Sequence, residues 1–327
     1  MERWSDVEGE IRDRLVGRVE QALLEPFPGR DLLHPFVDRL LRAGGDQIAA
    51  LLAYGSCLFD ETRTSTSFPD FYVLVDDLDA YHASRWHALL NRVLPPNVYY
   101  AAFASDPGRP VLRCKYCVMS LRQFARETSP RASDIYHLGR FSKRIALAHS
   151  RDPAATRIVC DGNLGAMWTL LPRSLSLLST RFDLDELILR QLGLSYVGEQ
   201  RVNEPDKVHK LMRGALPFYR EVYADLLDLY ARRAGHPRRG EDGRYEQPPP
   251  RASERRLTEQ LLRRSRLRGV LRWPKYIATV DDWVDYLLAK LERHHGVQVE
   301  LTPLQRRHPL IFAWPVYFEM RRRGIVK

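Results

Sequence analysis

The sequence lacks any apolar run of the 18 or so residues needed to span a bilayer. It is also poor in cysteine. Four residues, Cys57, Cys114, Cys117 and Cys160, stand in a chain of 327, which does not make a disulfide framework at this length. Cys114-x-x-Cys117 has the spacing of half a zinc knuckle, but it lies in VLRCKYCVMSL, which reads as a strand. On a strand an odd spacing sends two side chains to opposite faces, and no second pair exists to complete a zinc site. The amino-terminal stretch lacks the acid-free character of an organellar presequence or cleavable signal, since it carries Glu2, Asp6, Glu8, Glu10 and Asp13. A cytoplasmic location is therefore expected.

With 44% apolar and 28% charged residues the chain reads as globular, and its length suggests two domains or one with a sizeable appendage. The formal net charge is +10, and its placement matters more than its size. Between Ala231 and Lys275 thirteen arginines and one lysine face five acids, an excess of nine, so the rest of the chain is close to neutral. With Pro248-Pro249-Pro250 inside it, this block reads as a linker able to touch nucleic acid or an anionic membrane.

The stretch from Ala53 to Asp77, AYGSCLFDETRTSTSFPDFYVLVDD, organises the rest. Gly55 allows a sharp turn and a close approach to a phosphate without a Cβ in the way. Ser56 adds a hydroxyl and an N–H suited to a phosphate oxygen. Asp70 stands at the mouth of the β-branched and aromatic run Phe71 to Val75, which reads as a buried strand. A carboxylate there suits Mg²⁺, which commonly bridges one or two acids to substrate phosphates. A Gly-Ser turn, a polar loop and a strand-borne aspartate outline a nucleotidyltransferase site. Polymerase-β-like members usually place a second acid two residues on, where this chain has Tyr72. Asp76 shares the strand face, but six residues at about 3.3 Å each place it roughly 20 Å away. Metal ions in a two-metal site sit only about 3.5–4 Å apart. Either one metal suffices or the second carboxylate comes from elsewhere.

Along the chain, amphipathic spacing predicts helices over 1–25 and 31–42, then a strand from Ile48 to Tyr54 leading into the turn. A helix over 79–93 carries Trp86 and His87, and strands follow near 98–103 and 111–120. Neither later strand holds an acid, while Arg113 and Lys115 share a face suited to a triphosphate. From Leu121 the pattern turns helical, with helices expected over 134–148, 163–176, from Asp183 (capped by Glu186) to Tyr196, 205–216 and 218–232.

These pieces, in this order, resemble the mitochondrial-type CDP-diacylglycerol synthases, the translocator assembly and maintenance proteins and their bacterial relatives. The matching stretches are AYGSCLF at 53–59, DFYVLVDD at 70–77, Trp86-His87, KYCVMSL at 115–121, YHLGRFSK at 136–143, LSYVGEQRV at 194–202 and NEPDKVHKL at 203–211. The family has an apolar or aromatic residue where Tyr72 stands. Cys57 and Cys117 occupy positions where it usually has glycine, and Glu199 replaces its aspartate. The stretch from about 235 lies outside the resemblance.

The resemblance implies an α/β (α+β) nucleotidyltransferase core over 1–125 and a helical, winged-helix-like domain over 126–232. The basic linker then covers 233–270 and an amphipathic helical extension 271–327. It implies CMP transfer from CTP to phosphatidic acid, giving CDP-diacylglycerol and pyrophosphate. Tyr54, Gly55 and Ser56 would hold the nucleotide, and Asp70 a Mg²⁺ ion. Lys115, Arg140, Lys143, Arg201 and Lys207 would offset phosphate charge, with Lys115 and Arg201 nearest the reaction. Glu199 or Glu204 is expected to complete the metal shell across the interdomain cleft.

A lipid acceptor requires contact with a bilayer. PLIFAWPVYFEM at 309–320, flanked by Arg306-Arg307 and Arg321-Arg322-Arg323, suits the headgroup boundary of an anionic membrane. This places the protein peripherally on the inner face of the membrane. Two other readings stay open on the residues alone. One is a nucleotidyltransferase acting on tRNA or protein, and the other a basic nucleic-acid-binding protein without catalysis.

Overall fold

A computed structural model describes residues 3–27, 30–58, 69–104, 111–198, 205–279 and 301–307, with isolated positions beyond. The N-terminal region forms helices α1 (Glu10–Leu24) and α2 (His34–Gly44). Ile11, Leu15, Val19 and Leu23 give α1 one buried face, as their three-to-four-residue spacing demands.

Five strands form a mixed sheet in the order β3-β4-β2-β1-β5. They are β1 (Ile48–Tyr54), β2 (Asp70–Val75), β3 (Asn97–Ala104), β4 (Val111–Ser120) and β5 (Ala146–Ser150). Only the β2/β4 pair is parallel. β1 is buried along its whole length, which explains its unbroken apolar sequence. Short helices α3 (Leu78–Tyr81) and α4 (Arg85–Val93) lead from β2 to the edge strand β3. Helices α5 (Leu121–Glu127) and α6 (Ile135–Phe141) then precede β5.

A single helix expected over 134–148 is thus corrected. The α6 helix ends at Phe141, where Asn163 donates its side-chain amide to the carbonyls of Phe141 and Lys143. Ala146 and Leu147 go on to pair with Ala53 and Leu52 of β1. A distant strand edge outweighs local helix propensity here.

The long helix α7 (Pro153–Leu175), α8 (Leu184–Gly198), α9 (Pro205–Gly214) and α10 (Leu216–Ala234) form the helical half. A small sheet of β6 (Arg181–Phe182), β7 (Arg238–Arg239) and β8 (Tyr245–Glu246) sits beside them. Where a linker is expected over 233–270, the chain forms β7, β8 and most of a long helix, α11 (Ala252–Thr279). Its inward cations find partners across the fold, so a run of arginine that reads as solvated is partly interior.

The sheet has a core on each face. One holds Phe36, Phe71, Val73, Ala88, Cys114 and Val118. The other joins Leu52, Tyr72, Leu74, Cys117 and Met119 to α1 and the helical half. Cys114 and Cys117 do face opposite ways. The approach of α6 to α8 is close because residue 139 is glycine. A Cβ there would lie 2.3 Å from Ser195 Cβ and 2.7 Å from Ser195 Cα.

Candidate active site

Register alone brings the central residues together. Asp70 opens β2 with Tyr54 of β1 on one side and Lys115 of β4 on the other. The Asp70 side chain is 38% exposed and faces outward from the sheet mouth, with Lys115 Nζ 3.9 Å from its Oδ1. Gly55 has φ +89, a conformation that favours glycine, and a Cβ there would point to within 3.8 Å of Asp70 Oδ2. A side chain added at this turn would therefore reach van der Waals contact with the carboxylate.

Arg140 on α6 is buried and donates from Nη1 to the Tyr54 hydroxyl at 3.1 Å. Burial, and secondarily the Asp70 charge, holds the Tyr54 phenol well above its ordinary value. The same two causes push Cys57 and Cys114 up to about 12, so both thiols stay protonated beside the site. Tyr54, Gly55, Asp70, Lys115 and Arg140 thus lie close together. Lys143 instead lies over the Tyr196 ring of α8, its ammonium 4.5 Å from the centroid. The side chains of Ser56 and Lys207, and all of Glu199, Arg201 and Glu204, lie outside the described residues.

Asp76 and Asp77 take no part. Asp76 pairs with Arg151, and Asp77 caps α3 by accepting from the Asp79 amide at 2.6 Å. A groove of about 800 Å³ lined by Asp76, Asp77, Arg122, Arg126 and Arg131 opens at that end of β2, and no residue of the Asp70 cluster lines it.

Beside the Asp70 cluster stands a second group of cations that sequence reasoning missed. Asp134 is fully buried. It caps α6 through the Tyr136 amide at 2.8 Å and accepts from Arg268 Nε and Arg272 Nη2 of α11, each at 2.8 Å. Arg272 and Arg140 both stack on Tyr136, each guanidinium carbon 4.3 Å from the ring centroid. Arg272 Nε also donates to the Pro95 carbonyl at 3.2 Å. Lys275 donates to the carbonyls of Leu94 and Pro96, the latter at 2.8 Å.

His137 is completely buried among these groups, and neither ring nitrogen has a hydrogen-bond partner among the described residues. Burial, then Arg272 and Arg140, holds its pKa well below the ordinary value, so it is a neutral imidazole. Burial, with Arg272 next, lowers Lys275 to about 7. Arg140, Arg268, Arg272 and Lys275 thus bring four cations to the neighbourhood of the Asp134 carboxylate. The signal was present in the sequence. Arg268, Arg272 and Lys275 fall at i, i+4 and i+7, on one face of a helix.

A strand-mouth aspartate beside a glycine turn, with cations able to neutralise phosphates nearby, is chemistry suited to nucleotidyl transfer. Residues 84–279 match the family described as mitochondrial phosphatidate cytidylyltransferase, and this chain belongs to that family. No curated protein matches the chain. Its reaction joins the cytidylyl group of CTP to phosphatidic acid, giving CDP-diacylglycerol and pyrophosphate. The readings of a tRNA or protein acceptor, and of a non-catalytic nucleic-acid binder, give way to this one. The matched stretch begins after Gly55 and Asp70 and runs to the last residue of α11. The matched stretch therefore takes in the arginine-rich helix.

Proposed function

We propose that Asp70 is the metal-holding carboxylate of this cytidylyltransferase and that the Gly55 turn, Lys115 and Arg140 receive the CTP triphosphate. The observation that carries this is the Asp70–Lys115 pair, a solvent-facing carboxylate with an ammonium 3.9 Å away and glycine backbone alongside. Among the described residues no group of three or more His, Cys, Asp or Glu side chains could cage a metal. One exposed carboxylate fits Mg²⁺ all the same, because that ion keeps several waters and is held by one or two acids plus substrate phosphates. Bound there, it would neutralise triphosphate charge as pyrophosphate departs. Glu199 or Glu204 supplies a further carboxylate in this reading.

The protein's own work is positioning and charge. Lys115 moves from its pairing with Asp70 to the incoming phosphates. Arg140, fixed by Tyr54 and Tyr136, holds the nucleotide side. An oxygen of the acceptor phosphate bonds to the α-phosphorus while the bond to the β-phosphate oxygen breaks. Arg272 and Lys275, with neutral His137, receive the acceptor phosphate. Both guanidinium groups touch one tyrosine ring, so at most about 9 Å separates Arg140 from Arg272, a span on the scale of two phosphates brought into contact. Lys143, Arg201 and Lys207 add charge from the helical side. The helical half with its small sheet is read as the winged-helix-like domain, and 309–320 as a membrane contact.

Thin-layer detection of CDP-lipid from labelled CTP and phosphatidic acid tests this reading. Asp70→Ala is expected to lower turnover about a thousandfold or more while leaving the fold intact. Turnover within tenfold of the parent protein would refute the assignment.

A further inference from the structure

Two helices carry apolar side chains into solvent at helical spacing. On α4 these are Trp86, Leu89 and Val93, which are 59%, 46% and 68% exposed. The opposite side of α4 is seated normally, with Ala88 and Asn91 buried and the Asn91 amide donating to the Val118 carbonyl at 3.0 Å. On α11 they are Leu267, Val270 and Leu271, which are 64%, 55% and 55% exposed. This stripe flanks the face from which Arg268, Arg272 and Lys275 enter the fold. Scattered surface leucines need no explanation, but large contiguous apolar patches mark places that something covers.

The carboxyl-terminal ends of the two helices come together. Val93 is followed at once by Leu94, Pro95 and Pro96, whose carbonyls accept from Arg272 and Lys275. Between the helices runs β3, an edge strand of the main sheet, with the sequence NVYYAAFA. It carries no charge, and among its described side chains only Ala102 is exposed. Exposed Arg85, Arg263 and Arg264 border the same helices.

We propose that the face formed by α4, the β3 edge and the carboxyl-terminal half of α11 docks on an anionic bilayer containing the acceptor lipid. The proposal rests on the lipid acceptor of the cytidylyltransferase reaction. It commits to a bilayer for two reasons. First, apolar stripes with an aromatic and an arginine fringe complement an anionic headgroup layer. Second, the same end of α11 carries the buried Arg272 and Lys275 inward, toward the cations beside the Asp70 cluster. An acceptor phosphate could then reach the site while its acyl chains remain in the bilayer.

The test uses the full-length chain and sedimentation with phosphatidylcholine vesicles, with and without phosphatidic acid. Two triple variants are compared, W86S/L89S/V93S and L267S/V270S/L271S. Each removes three side chains from an inserted surface, so vesicle affinity should fall tenfold or more, with unchanged thermal unfolding. Turnover of phosphatidic acid in vesicles should fall with it, whereas turnover of a dissolved short-chain phosphatidic acid should not. Unchanged vesicle affinity in both variants would overturn the proposal. So would conversion of a dimer to monomers by either variant without loss of vesicle binding, since a second copy would then be the occupant. Asp70→Ala separates the two readings. If it retains vesicle binding while the triple variants lose it, the surface stands whatever becomes of the site.

Discussion

Removing the Asp134 carboxylate should be among the most damaging single changes in the protein. Asp134 lies at zero exposure, receives Arg268 Nε and Arg272 Nη2 at 2.8 Å, and caps α6. Breaking a buried ion pair from one side costs about 3–5 kcal/mol, because the stranded charge is not rehydrated. The Arg268 side chain is 20% exposed and that of Arg272 4%, so the lower end of that range applies to the pair as a whole. Loss of the cap adds about 1 kcal/mol. Asp134→Ala should therefore cost about 4 kcal/mol, read as a shift in the urea midpoint. The equivalent fall in melting temperature is on the order of 10 °C.

Asp134→Asn, which keeps a capping oxygen but loses the charge, should cost about 3 kcal/mol. The triple variant Asp134→Leu/Arg268→Met/Arg272→Met should recover most of the loss, because it removes the charges together. An Asp134→Ala protein within about 1 kcal/mol of the parent would refute the reasoning. It would mean that these guanidinium groups are solvated rather than interior.

Gly139→Ala should destabilise by about 2 kcal/mol in the same titration, since the added methyl would meet Ser195 Cβ at 2.3 Å and its backbone Cα must move. Arg140 is the next residue, so CTP affinity should fall with stability in that variant. The Lys275 pKa is lowered to about 7 from 10.5, so between those values the unfolded chain binds more protons than the folded one. Stability should therefore rise as pH rises through that window, and Lys275→Met should flatten the rise. Equal slopes in the two proteins would show that Lys275 is not desolvated.

The juxtaposition of Gly55, Asp70 and Lys115 was legible because it is written locally. A glycine turn, a strand of β-branched and aromatic residues and an acid at its mouth are all features of adjacent residues, and the pairing of β2 with β4 then supplies Lys115. The Asp134 network was not legible. The spacing of Arg268, Arg272 and Lys275 puts them on one helix face, but Asp134 lies more than 130 residues from either arginine, and nothing local pairs it with them. β5 was missed for the same reason, because Ala146 and Leu147 are strand residues only through β1. The four cysteines were read correctly as no framework, and all four are buried thiols.

The placement of α11 bears on how short the chain can be made. A fragment ending at the Pro248–Pro250 triplet would keep Gly55, Asp70, Lys115 and Arg140, and would look complete on any map of the nucleotide side. It would nevertheless strip Asp134 of both guanidinium partners, bare the carbonyls of Leu94 to Pro96 and leave Tyr136 without its Arg272 cation. What resembles a dispensable tail supplies the guanidinium partners of Asp134 and Tyr136 and the donors to the Leu94–Pro96 carbonyls.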